Sequence, residues 1–165
     1  MNADDVVHAD KPEFVLRRTF DAPRDLVYKI WTDPRYVQQW WGVDGSTIVC
    51  CELDVRPGGS FRIDMQASDG TVYENRATYL EVIENERIVT QDQRETSTGT
   101  VTIPPGIHTV TFTDLGSKTL VTLTSRFATI EARDLMVRYG MLDGIAQSLA
   151  RFERLLATTL HERQQ

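Results

Sequence analysis

Toward the C-terminus, Leu135, Tyr139, Leu142, Ala146, Leu149, Phe152 and Leu156 recur at steps of three and four. From Thr129 onward this spacing predicts one amphipathic helix of about 30 residues, roughly 45 Å long at 1.5 Å per residue. Gln147, Arg151, Arg154 and Thr158 fall on its wet side. An apolar stripe of that length must lie on another apolar surface. Most of the chain upstream reads as strands, so the surface that covers it is the face of a sheet.

The strand pattern starts at 13–20, where Phe14, Leu16 and Phe20 alternate with Arg17 and Thr19. Asp21-Ala22-Pro23 and Asp33-Pro34 each carry the signature of a helix start. Two short helices are therefore expected, the first burying Val27, Ile30 and Trp31, the second ending near Trp40. Strands follow at 47–55, 60–67, 72–83, 87–93, 108–114 and 118–127. Arg56-Pro57-Gly58-Gly59, Asp69-Gly70, Glu84-Asn85-Glu86 and Leu115-Gly116-Ser117 divide them. Within 60–67, Phe61, Ile63, Met65 and Ala67 share one face, and Arg62, Asp64 and Gln66 the other. Consecutive strands joined by tight turns make an antiparallel meander. The fold class is α+β: a helix grip, in which a curved antiparallel sheet wraps around the long C-terminal helix. One domain is expected over 12–160, with 1–11 as a disordered N-terminal arm and 161–165 as a disordered tail.

Charge and motif content narrow the functions. The net charge of −6 opposes nucleic acid and anionic membrane surfaces. No apolar run approaches the roughly 20 residues of a membrane span, and the acidic N-terminus lacks the apolar stretch of a signal peptide. A cytoplasmic location is expected. Cys50 and Cys51 are adjacent, so on a strand they point to opposite faces and read as reduced thiols, one packed inward. His8, His108 and His161 are scattered, and no metal-ligand spacing, nucleophile elbow, phosphate loop or dinucleotide fingerprint is present. No metal and no cofactor are expected.

Several segments together resemble a known superfamily. They are FDAPRDLVYKIWTDPRYVQQWWG at 20–42, ELDVRPGGSFRIDM at 52–65, YLEVIENERIV at 79–89, the strands TVTFTD and TLVTLTSRF, and GMLDGIAQSLARFERLL at 140–156. In this order they resemble the SRPBCC (START and birch-pollen-allergen-like) superfamily. Within it they are similar to the branch named after the C-terminal domain of the activator of heat shock protein 90 ATPase. The resemblance covers about 12–160. It implies the helix-grip fold and an apolar cavity between sheet and helix. The eukaryotic activator carries a separate N-terminal domain where this chain has an 11-residue arm.

Candidate site residues follow from where that cavity would lie. Trp40, in Trp40-Trp41-Gly42, either walls its mouth, with an indole N–H that can bond a ligand, or seals the core end together with Trp41. Met65, Phe112, Phe127, Met136 and Tyr139 are expected to face the space between sheet and helix. Gly140 and Gly144 interrupt the helix and mark either close packing or room for a ligand. The polar candidates are Asp92, His108, Arg126 and Asp143. The stretch 94–107, with Val101 and Ile103, is long for a hairpin loop and reads either as a flap over the mouth or as an uninvolved surface loop. Arg56-Pro57-Gly58-Gly59 is expected to serve the backbone turn.

Three functions are compatible with this pattern. The first is binding of a small hydrophobic molecule without turnover. The second is an enzyme acting on an apolar substrate, in the manner of a polyketide cyclase, through two titratable groups that converge in the cavity. The third is an interaction protein such as a chaperone cofactor. A homodimer through sheet edges or the long helix is also compatible.

Overall fold

The computed structural model describes residues 5–93 and 104–164. Eight strands form one antiparallel sheet: β1 (Val6–Val7), β2 (Glu13–Phe20), β3 (Thr47–Leu53), β4 (Ser60–Gln66), β5 (Val72–Ile83), β6 (Arg87–Asp92), β7 (Gly106–Asp114) and β8 (Thr119–Phe127). Their spatial order is β1-β2-β8-β7-β6-β5-β4-β3. The six strands from β3 to β8 form the expected meander, and β2 closes onto its last strand. The chain crosses from β2 to the far edge at β3 through α1 (Arg24–Thr32) and α2 (Pro34–Trp40).

The two short helices end where their sequence stops them. Pro23 caps α1, and Asp33 caps α2 by accepting the Arg35 N–H at 3.0 Å, one residue ahead of Pro34. At the other end of α1 the Ile30 carbonyl has no partner within its helix. The Trp40 indole N–H donates to it at 2.9 Å. Trp40 then lies between Trp31 and Phe152, with ring centroids 4.8 and 5.0 Å away, tilted to the first and edge-on to the second, and Phe112 meets Trp31 and Tyr28 edge-on. These rings, with Ile63, Tyr79, Val110 and Val121, form the main core against the sheet's inner face.

The sheet turns tightly after β3. Gly59 is required there, because a Cβ would lie 1.9 Å from the Asp54 carbonyl oxygen. That agrees with the backbone role expected for Arg56-Pro57-Gly58-Gly59.

Three expectations are corrected. The C-terminal helix is two helices, α3 (Ile130–Arg138) and α4 (Met141–Arg163). The break falls at Gly140, whose φ of +87° is left-handed and outside any α-helix. The segment expected as a disordered arm carries β1. Asp5 pairs there with Arg18 at 2.6 Å, and the buried guanidinium of Arg133 donates to the carbonyls of His8 and Lys11. Finally, α4 runs to Arg163, through most of the expected tail.

The side of α4 expected to face water is partly used as well. Gln147 accepts the Asp44 N–H at 2.8 Å, and the Ser148 hydroxyl bridges the N–H and carbonyl of Gly42. These bonds clamp the loop after α2 onto the helix.

Candidate functional site

Strand parity decides which side chains face the helices. On β7, Val110 and Phe112 lie in the core, so His108 shares their face. On β8, Val121 sets the inward parity that Ser125 and Phe127 follow. On β6, Ile88 does the same for Asp92. Asp92, His108 and Ser125 therefore stand side by side on the inner face of three neighbouring strands.

They form one hydrogen-bonded row. His108 Nε2 meets Asp92 Oδ2 at 2.8 Å, and His108 Nδ1 meets Ser125 Oγ at 2.8 Å. The Gly106 N–H donates to the same Asp92 Oδ2 at 3.0 Å. An ionised carboxylate only accepts, so the proton between His108 and Asp92 belongs to Nε2. In the neutral ring Nδ1 then accepts from the Ser125 hydroxyl. Gly106 makes this packing possible: a Cβ there would lie 2.9 Å from Phe127 Cε1 and 3.2 Å from His108 Cε1.

Exposure runs along the row. Ser125 is 2% exposed, while the His108 and Asp92 side chains are 18% and 35% exposed. The buried end rests on a second apolar cluster of Phe14, Leu16, Phe127 and Leu142. Met136, Val137, Met141 and Ile145 pack against it from α3 and α4, and the His108 and Phe127 rings lie 6.3 Å apart. The order serine, histidine, carboxylate is that of a hydrolase triad. Here the serine is the innermost member, beneath the ring, where no carbonyl carbon can reach it. The row presents Asp92 outward rather than a nucleophile.

Of the expected apolar candidates, Phe127 and Met136 come together beside this row. Met65 lies on the same inner face, paired with Tyr73 farther across the sheet. Trp40 and Phe112 instead belong to the main core. The Trp40 indole N–H is donated to Ile30, so of its two readings the core-sealing one holds and Trp40 walls no mouth. Tyr139 is 56% exposed as the last residue before the helix break. Gly140 forms that break, with nothing within 4 Å of an added Cβ. Gly144 packs on the loop at Val43 rather than on the sheet.

Among the polar candidates, Asp92 and His108 converge and the other two do not. Arg126 pairs with Ile107 on the outer face, and Asp143 is exposed on α4. Ser125 was missed; its signal was parity with Val121 and Phe127. Gly106 and Ile107 belong to β7, whereas Val101, Ile103 and the rest of the flap at 94–103 lie outside the described residues.

The remaining features place little else. Among the described residues, no cluster of three or more His, Cys, Asp or Glu could hold a metal ion. Cys51 is half-buried against the core, and burial pushes its thiol up to about 11, with Cys50 adding to the shift. Both cysteines are free thiols. Two open grooves mark the surface. One of about 430 Å³ lies between Tyr28, Arg56 and Glu84, the other, of about 350 Å³, between Gln39, Arg151 and Arg154. Neither adjoins the row. No helix among the described residues is long and apolar enough to cross a membrane.

The family model described as "Activator of Hsp90 ATPase homolog 1-like protein" matches residues 21–157. The chain belongs to this family. The family is part of the SRPBCC superfamily, as the sequence resemblance implied. Solved structures agree on the fold. A protein from Nitrosomonas europaea is 24% identical, with 94% of this chain and 99% of that one covered and a TM-score of 0.83. One from Arthrobacter aurescens is 22% identical, covering 94% and 92%, with a TM-score of 0.84. One from Staphylococcus epidermidis is 27% identical, covering 93% and 94%, with a TM-score of 0.77. No curated protein matches the chain. The helix grip is thus established, and it is the fold of a ligand-binding superfamily.

Proposed function

We propose that this protein binds a small, largely apolar molecule at the end of the grip where β6, β7 and β8 meet α3. The observation that carries this reading is the Asp92–His108–Ser125 row, an inward-facing polar seam set against apolar side chains. Ligand sites combine an apolar lining with a few placed polar groups. Here Phe127, Met136 and Leu142 supply the lining, and the half-open Asp92 and His108 supply the polar end. A seam serving only packing would be closed at both ends, as Ser125 is. Met136 adds an adaptable surface, because its unbranched thioether repacks around different shapes.

A thermal-shift screen of hydroxylated aromatics, sterols and medium-chain alcohols tests the proposal. A binder should raise the melting temperature and move the His108 ring signals in an NMR spectrum. Phe127→Ala should abolish both responses. Compounds that stabilise the protein without moving His108 would place the binding elsewhere and defeat this assignment.

A further inference from the structure

We infer that the site selects ligands whose polar end donates a hydrogen bond, a hydroxyl or ammonium group, and rejects carboxylates. This rests on the ligand-binding reading above and names the ligand's chemistry. The argument comes from what the inward-facing donors are already doing.

Every N–H donor that described residues place at the row is engaged, and the Thr90 hydroxyl opposite His108 is a neutral group that accepts as readily as it donates. The Gly106 N–H and the His108 Nε2–H both go to Asp92 Oδ2. His108 Nδ1 faces the buried Ser125 hydroxyl. One position farther across the inner face, the Asn75 amide donates to the carbonyls of Ile63 and Tyr73. The nearby cations point the other way: Arg126 shares the outer face with Ile107, and Arg76 holds Asp64 at 2.6 Å. What remains is acceptor capacity. A carboxylate offers about four lone-pair sites, and both bonds that described residues make to Asp92 fall on Oδ2. Its Oδ1 is the open position of a side chain that is 35% exposed.

A ligand hydroxyl or ammonium can donate to that oxygen while its apolar body lies along Phe127 and Met136. A ligand carboxylate would set like charge against Asp92 with no cation and only the neutral Thr90 hydroxyl to compensate, which is strongly unfavourable away from bulk water. The two hydrogen bonds at Oδ2 hold the Asp92 carboxylate in place, so it is preorganised for the donor rather than recruited by it.

Isothermal titration at physiological salt with octanol, octylamine and octanoate tests this, since the three share one apolar body. Octanol and octylamine should bind at least about tenfold tighter than octanoate. The chain's charge of −6 attracts octylamine to any part of the surface, so the octanol-to-octanoate ratio is the deciding one. Asp92→Asn keeps an acceptor for His108 and Gly106 but supplies an amide donor, and should bring the ratio to within about threefold. If that variant does not melt cooperatively, Asp92→Ser provides the same comparison. Octanoate binding as tightly as octanol in the unaltered protein, or a ratio unchanged by both variants, overturns the inference and leaves the binding reading standing. No heat from any of the three, with the His108 ring signals unmoved, overturns the binding reading and this inference with it.

Discussion

Asp64 sits on the outer face of β4, only 10% exposed, with Arg76 Nη1 at 2.6 Å and Arg62 Nη2 at 3.4 Å. The Arg76 hydrogen bond outweighs the opposing effect of burial and holds the carboxyl below its ordinary range. A carboxyl whose folded value is lowered gives stability that is full above the unfolded value and is lost as the pH falls through the folded one. Unfolding midpoints in urea should therefore separate the protein from Asp64→Asn most widely near neutral pH. The gap should narrow from about pH 4 downward. A gap of constant size across that range would mean the ion pair contributes through packing alone. At the same scale, Trp40 shows why a large aromatic is weak evidence for a ligand site. Its ring has two aromatic neighbours, Trp31 and Phe152, and its N–H has a fixed structural acceptor. The sequence shows the ring but not that the acceptor lies ten residues earlier, at the unsatisfied end of another helix.

The break between α3 and α4 matters more for the site than either helix alone, because it lets Met136 and Leu142 reach the same cluster from different helices. Side-chain periodicity could not reveal it. Leu135, Tyr139 and Leu142 keep helical spacing straight through the break, and spacing carries no information about the sign of φ. Gly140 was the only signal, and Gly144 looked equivalent to it. The structure separates the two, and substitution should do the same. Gly140→Ala forces a left-handed alanine and should cost about 1 kcal/mol in urea unfolding. Gly144→Ala gains helix propensity of about 1 kcal/mol. Its new Cβ must press Val43 Cγ1 from 3.3 Å, so the net effect should be near zero. Equal effects from the two would mean that Gly140 is an ordinary helical residue in solution. The first strand was hidden for a different reason. Val6-Val7 is too short to show alternation, and what holds the segment is Arg133, more than 120 residues away.

Across the whole molecule, the inner face of the sheet divides into two apolar territories with a polar seam beside the second. The meander, both short helices and the inward parity of β2 and β4 were legible because alternation and turn chemistry are local. The seam was only half legible. Asp92 and His108 stood out as charged or titratable, but Ser125 reads as one more hydroxyl in TLVTLTSRF, and its partner is 17 residues away. A seam of this kind costs stability unless every member is satisfied, which offers a test of why it is there. His108→Ala removes the middle member and leaves the Ser125 hydroxyl buried without a partner, so it should lower stability by about 2 kcal/mol. Replacing all three members with apolar groups, as Asp92→Leu/His108→Phe/Ser125→Ala, removes the unsatisfied groups together. The triple variant should unfold within about 1 kcal/mol of the parent, or be more stable than it, because apolar replacement of a whole buried network is often neutral or stabilising. If the seam exists for the ligand, that variant should be well folded and unable to bind octanol. If it exists for the fold, the triple variant should be no more stable than His108→Ala. Chemical denaturation and titration calorimetry on the same three proteins distinguish these outcomes. The comparison is meaningful because the rest of the sheet, with its core of Trp31, Trp40, Phe112 and Phe152, is built without the seam.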